Sequence, residues 1–327
     1  MSPLDPEAQV VIDGIRRAGT PPLSSLALSE ARRMYAKGLR MLDIAPDKTI
    51  ATTDRDLVAP GFRIPVRVYR RPDDADLAGR VLLWFHGGGY CVGDIETTDI
   101  VCRMFTAVCG CNVVSVNYRL APEHPFPAAV DDAFGAYRAL LDASGGDADR
   151  IVVSGESAGA TLALVTSLLA RDHAVPTPAA QLLIGPTALG RRDTESKRRF
   201  GEGLFLSAKD LEWFYDQYTG GRDLDNDFRF APIAAANLGN LPRTLIVAAG
   251  CDPLHDDAVA LASALSSAAV DVQLDEHAGL THSFFHMGGF VSRARAAHQE
   301  ACAFLDHAWR TVSTVRKQAS SAIERDR

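Results

Sequence analysis

No stretch of this chain is apolar for the eighteen or so residues that a membrane-crossing helix needs. No apolar signal core follows the amino terminus, where an acidic segment is broken by Pro3 and Pro6. Basic charge is also scarce. The 327 residues carry a net charge of −7, and no basic stripe or basic helix offers a surface to nucleic acid or an anionic membrane. The densest basic stretch, Arg191-Arg192 with Lys197-Arg198-Arg199, reads as a solvated face. Six cysteines (91, 102, 109, 111, 251 and 302) include no Cys-x-x-Cys pair, and Cys109-Gly110-Cys111 is too tight for a zinc knuckle. Cys102 and Cys109 in an apolar helical stretch, and Cys111 at the start of a strand, read as buried free thiols. Internal repeats and low-complexity linkers are missing too. Together these absences predict a reduced, cytoplasmic protein with no nucleic-acid partner and no membrane insertion.

What is present is a long core-forming pattern, with 47% of residues apolar and 23% charged. Two amphipathic helices, at 6–17 and 26–42, precede any strand. Residues 50–57 and 64–70 mix polar and apolar residues, as an antiparallel pair with one wet face does. From Val81 the pattern changes. Near-continuous apolar runs at 81–85, 113–116, 151–153, 182–184 and 245–249 alternate with helix-length segments at 97–109, 126–143, 158–172 and 256–268. Strands buried on both faces and separated by helices predict an α/β fold with a mainly parallel sheet. A last strand is expected at 270–274 and a closing helix at 291–315, with fraying from about 316. More than fifty residues between Pro186 and Pro242 lack a buried strand, the length of a lid rather than a loop. The expected organisation is amino-terminal cap helices at 1–45, core at 46–186 and 236–327, and a cap insertion at 187–235.

The chemistry centres on Ile151-Val152-Val153-Ser154-Gly155-Glu156-Ser157-Ala158-Gly159. A strand that feeds a helix through Gly-x-Ser-x-Gly is a nucleophile elbow. The serine sits on a strained turn, and its neighbours two positions away must be nearly free of side chain. The helix start then aims amide N–H groups at the reacting oxygen. A serine hydroxyl needs a base and an acid to orient it, and in this topology both follow later strands in the order acid, then histidine. Asp252 stands at the exit of the 245–249 strand. His282 lies in a segment, 278–284, expected to be a loop beyond the last strand. His277 and His286 are the competing bases, whereas His255, His298 and His307 fall on helices. Asp256 and Asp257 suit charges at a helix N-terminus. His86-Gly87-Gly88-Gly89 directly follows the 81–85 strand. The N–H groups of Gly87 and Gly88, with that of Ala158, would make a three-donor oxyanion hole.

Four motifs in this order resemble the hormone-sensitive-lipase-like esterases, a branch of the α/β-hydrolase fold. They are His86-Gly87-Gly88-Gly89, Tyr118 to Ala129 (YRLAPEHPFPAA), Gly155-Glu156-Ser157-Ala158-Gly159, and Asp252-Pro253-Leu254 with His282. The resemblance spans residues 82–284. It implies an eight-stranded, mostly parallel sheet with a helical cap, Ser157 as nucleophile with Asp252 and His282, and no metal or organic cofactor. Three positions depart from the commoner family residues: Glu156 for Asp, Ala160 for Gly and Ser283 for Gly. Glu156, one methylene longer than Asp, is expected either to reach the loop of His282 or of Tyr118, or to make a plain surface contact.

The family implies a small-molecule ester of short to medium acyl chain, and relatives are often homodimers through the last strand and closing helix. Lid aromatics at 200, 205, 213, 214, 215 and 218 read mainly as packing. Phe205 and Trp213, with Tyr90 beside the oxyanion loop, are the candidates for an acyl pocket. The competing readings are an amidase or deacetylase on the same triad, and a non-catalytic receptor. Gibberellin receptors on this scaffold have lost the histidine that this chain retains.

Overall fold

The computed structural model describes residues 4–325 except 75, 76 and 78, with side chains described through residue 311. Ala51–Ala59 (β1) and Phe62–Arg70 (β2) pair as the antiparallel hairpin their mixed pattern predicts. Val81–Phe85 (β3), Asn112–Val116 (β4), Ile151–Glu156 (β5) and Ala180–Ile184 (β6) are buried at every position. Arg243–Cys251 (β7) and Val272–Thr281 (β8) complete one sheet of order β1-β2-β4-β3-β5-β6-β7-β8. β2 runs antiparallel to β4, and every pairing beyond β4 is parallel. This is the α/β-hydrolase sheet.

Side-chain alternation explains why the central strands are apolar throughout. Leu83, Phe85 and Val153 point into one core with Ala128–Ala143 (α4), Ala158–Asp172 (α5) and His255–Ser267 (α8). Leu82, Trp84 and Val152 point to the other, against Asp99–Cys109 (α3) and Ser292–Arg325 (α9). With helices on both faces, neither set of alternate residues meets water. Pro6–Arg17 (α1) starts on Asp5, whose carboxylate accepts the Glu7 and Ala8 N–H groups. The Asp5 N–H in turn donates to Gly279 O on β8 at 2.9 Å. Leu28–Leu42 (α2) follows, and the long interval after β6 holds Glu195–Phe200 (α6) and Ala208–Thr219 (α7).

Three expectations need correction. β8 continues seven residues beyond the predicted end at 274, up to Thr281, because β7 extends far enough to pair with it across a register shift between Ala249 and Cys251. Beyond Leu274 the polar-apolar alternation stops, so the sequence pattern ended before the ladder did, although His277 and residues 279–281 are buried. α9 runs to Arg325, ten residues beyond the expected end of the closing helix at 315. Cys109 and Cys302 form a disulfide, with their Cα atoms 5.3 Å apart, instead of remaining free thiols. They sit on α3 and α9, 193 residues apart, a separation no local spacing reveals. The bond also removes the thiol-based argument for a reducing compartment. No helix among the described residues is long and apolar enough to cross a membrane.

Cys91, Cys102, Cys111 and Cys251 are buried and take no part in a disulfide. Thiol titration in denaturant should count four thiols without reductant and six after reduction. Six from the start would refute the Cys109–Cys302 pairing.

Candidate active site

Ser157 lies between β5 and α5 with φ 54° and ψ −122°, a conformation that costs a non-glycine residue about 1–3 kcal/mol. The surroundings leave it little choice. A Cβ on Gly155 would collide with the Gly159 and Phe85 backbone, and one on Gly159 with the Phe85 and His86 carbonyls. The helix start therefore packs backbone to backbone on the exit of β3, and only glycine permits the approach. The Ser157 N–H is held by Ile184 O at 2.7 Å.

The structure brings the three predicted side chains together. Ser157 Oγ lies 3.1 Å from His282 Nε2, and His282 Nδ1 lies 2.7 Å from Asp252 Oδ2. Asp252 cannot swing away, because its other oxygen accepts the Leu254 N–H at 2.8 Å. His282 follows β8 directly rather than sitting at a loop tip, so a sheet strand carries the base. Burial works against a charged His282. The adjoining Asp252 carboxylate, with help from Glu156, outweighs it and raises the imidazole pKa above the ordinary histidine value. The arrangement can take a proton from the serine and hold it on the imidazole.

The competing residues go elsewhere. His277 faces Asp275 and Glu300, His255 binds Glu276, His298 binds Phe285 O, and His286 binds Glu156. Asp275, His277 and Glu300 could together hold a metal ion, but they span β8 and α9 outside the triad. Asp257 is more than a charge at a helix terminus. It is fully buried and accepts the Ala188 and Leu189 N–H groups at 2.8 and 2.9 Å, while Asp256 accepts that of Ser196. These two carboxylates pin the start of the interval between β6 and β7 onto α8.

Gly88 turns the glycine loop after β3 at φ +112°, and its carbonyl accepts the Cys91 and Val92 N–H groups at 3.0 and 2.9 Å. No backbone carbonyl among the described residues takes the N–H of Gly87, Gly88 or Ala158. The loop is braced from behind. His86 Nδ1 donates to Gly87 O at 2.8 Å, and burial, opposed by that bond, lowers its pKa to about 4, so it stays neutral. Its ring stacks on Tyr118, whose hydroxyl donates to His86 O at 2.8 Å. The loop's position also depends on Arg32 of α2. Arg32 donates to Cys91 O at 2.8 Å and Ala121 O at 3.1 Å, and grips both Glu123 oxygens at 2.8 and 2.7 Å. Sequence reasoning missed Arg32, an ordinary polar residue on an amphipathic helix. Its only signal was Glu123 within the Tyr118–Ala129 motif.

The proposed pocket residues are placed differently. Tyr90 is buried and stacked at 3.8 Å on Tyr218 of α7, so its ring packs against that helix. Trp213 packs on Phe214, and Phe205 lies against the α3–α9 side of the core.

A family model described as alpha/beta hydrolase fold matches residues 82–286. The ethyl acetate hydrolase of Pseudomonas putida is 38% identical over 291 residues, covering 87% of this chain and 92% of that protein. The carboxylic ester hydrolase LipN of Mycobacterium tuberculosis is 36% identical, covering 88% of this chain and 79% of that protein. Among solved structures, an ester hydrolase from the metagenome of Lake Arreo, complexed with a derivative of bipyridine phosphonate, superposes with a TM-score of 0.87. It is 34% identical, covering 93% of this chain and 98% of that one. The chain belongs to the α/β-hydrolase family, in its hormone-sensitive-lipase-like esterase branch. As a member it is an enzyme of the carboxylic ester hydrolase class.

Replacing Arg32 with Met keeps the aliphatic stem and removes every clamp bond. It should lower kcat on a short aryl ester roughly tenfold through the loosened oxyanion loop. Unchanged kcat would mean the loop holds its place without α2.

Proposed function

We propose that the protein is a serine carboxylesterase for short- to medium-chain acyl esters. The hydrogen-bonded chain Asp252–His282–Ser157 beside amides of Gly87, Gly88 and Ala158 carries this reading. His282 Nε2 takes the hydroxyl proton as Ser157 Oγ bonds to the ester carbonyl carbon, and the carbonyl electron pair moves onto its oxygen. The three amides receive that oxyanion. As the carbonyl re-forms, the alkoxide leaves and collects the proton from His282, which leaves an acyl-serine. Water then adds with its proton passing to His282, the serine departs with that proton, and a carboxylic acid is released. Asp252 balances the imidazolium throughout without taking the proton.

The preference for short chains has structural support. Ser157 is only 8% exposed, and Phe214 of α7 sits directly over Gly89 of the oxyanion loop. A relative named for ethyl acetate hydrolysis points the same way. The hydrogen bonds of His282 favour an enzyme over a receptor. Homodimerisation through β8 belongs to this reading, since β8 is an outer strand of the sheet.

Ser157→Ala should lower kcat by about 10⁴–10⁶-fold with the fold intact by circular dichroism. An acyl series of p-nitrophenyl esters, with anilide analogues alongside, should peak at short chains and favour esters. A maximum at fatty-acid lengths or on anilides contradicts the assignment.

The pH dependence follows from His282. Its pKa is raised in the folded protein and the base must be neutral, so kcat/KM should fall as pH drops through that raised value. The acid limb should therefore lie above the free histidine value of about 6.5. A limb below it would show that Asp252 does not act on His282 as described.

A further inference from the structure

Three charged side chains that the mechanism leaves unused are buried together behind the elbow. Glu156 Oε2 lies 2.6 Å from His286 Nε2, and His286 Nδ1 lies 3.6 Å from Asp43 Oδ2. None of the three side chains is more than 3% exposed. They come from three separate parts of the chain. Glu156 immediately precedes the nucleophile, His286 lies four residues beyond His282, and Asp43 ends the helix α2 of the amino-terminal cap.

Buried charge at this density persists only when it is paired, and a group that breaks the pair leaves its partner uncompensated. The neighbourhood is built around the pair. Ser283 adopts a left-handed φ of 58°, the conformation that makes glycine common there, and its hydroxyl lies beside the Glu156 carboxylate. Two of the chain's departures from the commoner family residues thus face each other. On the cap side, the Gly289 N–H donates to Leu42 O at 3.1 Å, and Asp43 Oδ1 accepts the Ile44 N–H at 2.8 Å. Glu156 Oε2 and the Tyr35 hydroxyl of α2 both abut Gly87 of the oxyanion loop.

We propose that Glu156, His286 and Asp43 form a buried charge clamp that sets Ser157 against His282 and ties that geometry to the docking of the cap. Glu156 and His286 are then positioning residues for the hydrolysis proposed above, on which this inference rests.

The electrostatics agree with the geometry. Burial opposes charge on both partners, but mutual attraction prevails: Glu156 lies below the usual carboxylate range and His286 is raised to about 10. The other titratable groups around the pair are Tyr35 on α2, whose pKa burial and Glu156 raise, His298 on α9, kept neutral mainly by burial, and His282 itself. Glu156 raises the His282 pKa and His286 lowers it, with the Glu156 effect the larger. Removing the Glu156 charge therefore moves the His282 titration downward.

Two measurements test the clamp. Imidazole ¹⁵N NMR of the intact protein, with His286 assigned by the signal lost in His286→Asn, should find both its nitrogens protonated at pH 8. A neutral His286 at that pH overturns the proposal, whether or not the protein hydrolyses esters. Glu156→Gln should lower kcat on p-nitrophenyl acetate by about 10- to 100-fold with KM little changed, and shift the acid limb of kcat/KM to lower pH. The double variant Glu156→Gln/His286→Asn should be no slower than the slower single one, as expected when one unit is broken twice. A wild-type kcat and acid limb in Glu156→Gln, even with a lowered Tm, or additive losses in the double variant, would make the cluster merely structural. If wild-type protein cleaves no ester at all, the esterase reading fails, while the NMR result still decides the pair.

Discussion

The structure depends on the close approach of two backbones, at the start of α5 and the exit of β3. There Gly155 and Gly159 leave no room for a methyl group, and Ser157 is held at a positive φ between them. That contact fixes the serine hydroxyl beside the ends of the parallel strands, where Asp252 and His282 also emerge. Parallel strands deliver their carboxyl ends to one edge, so residues from β5, β7 and β8 meet although 125 residues separate Ser157 from His282. The strain is local, and the burial of the whole sheet holds it in place.

Around this point the chain uses charge where the sheet supplies no hydrogen bonds. Arg32 ties the glycine loop after β3 to α2 and to Glu123. Asp256 and Asp257 tie the interval after β6 to α8. The Glu156–His286–Asp43 group occupies the remaining side of the elbow. The Glu156–His286–Asp43 contacts are buried, whereas the Arg32–Glu123 pair is partly exposed. Apolar packing by Tyr90, Phe214 and Tyr218 fills the space between them. These contacts tie α2 to the segments around Ser157.

Much of this was legible in the residues. The apolar runs announced the parallel strands because burial on both faces removes the polar half of the alternation. Gly-x-Ser-x-Gly after Ile151-Val152-Val153 announced the elbow because sterics allow few residues there. Ser157, Asp252 and His282 followed from strand order. The rest depended on pairings between distant side chains, which leave no periodic trace. Cys109 meets Cys302 only after α3 and α9 pack together. β8 continues past its apolar run because β7 offers a partner, and backbone pairing does not require apolar side chains. Tyr90 lay next to the oxyanion loop in sequence, yet its ring turns into the cap. Glu156 could be read as reaching the loop of His282, but neither His286 as its partner nor Asp43 on the far side of His286 could be named.

Hydrolysis as proposed requires Ser157 to be a nucleophile activated in place by His282. Labelling the native protein with a fluorophosphonate and mapping the adduct by mass spectrometry tests this. One phosphonyl group per chain is expected, on Ser157, with labelling suppressed in His282→Ala. An unlabelled but folded protein, or an adduct on any other residue, would contradict it.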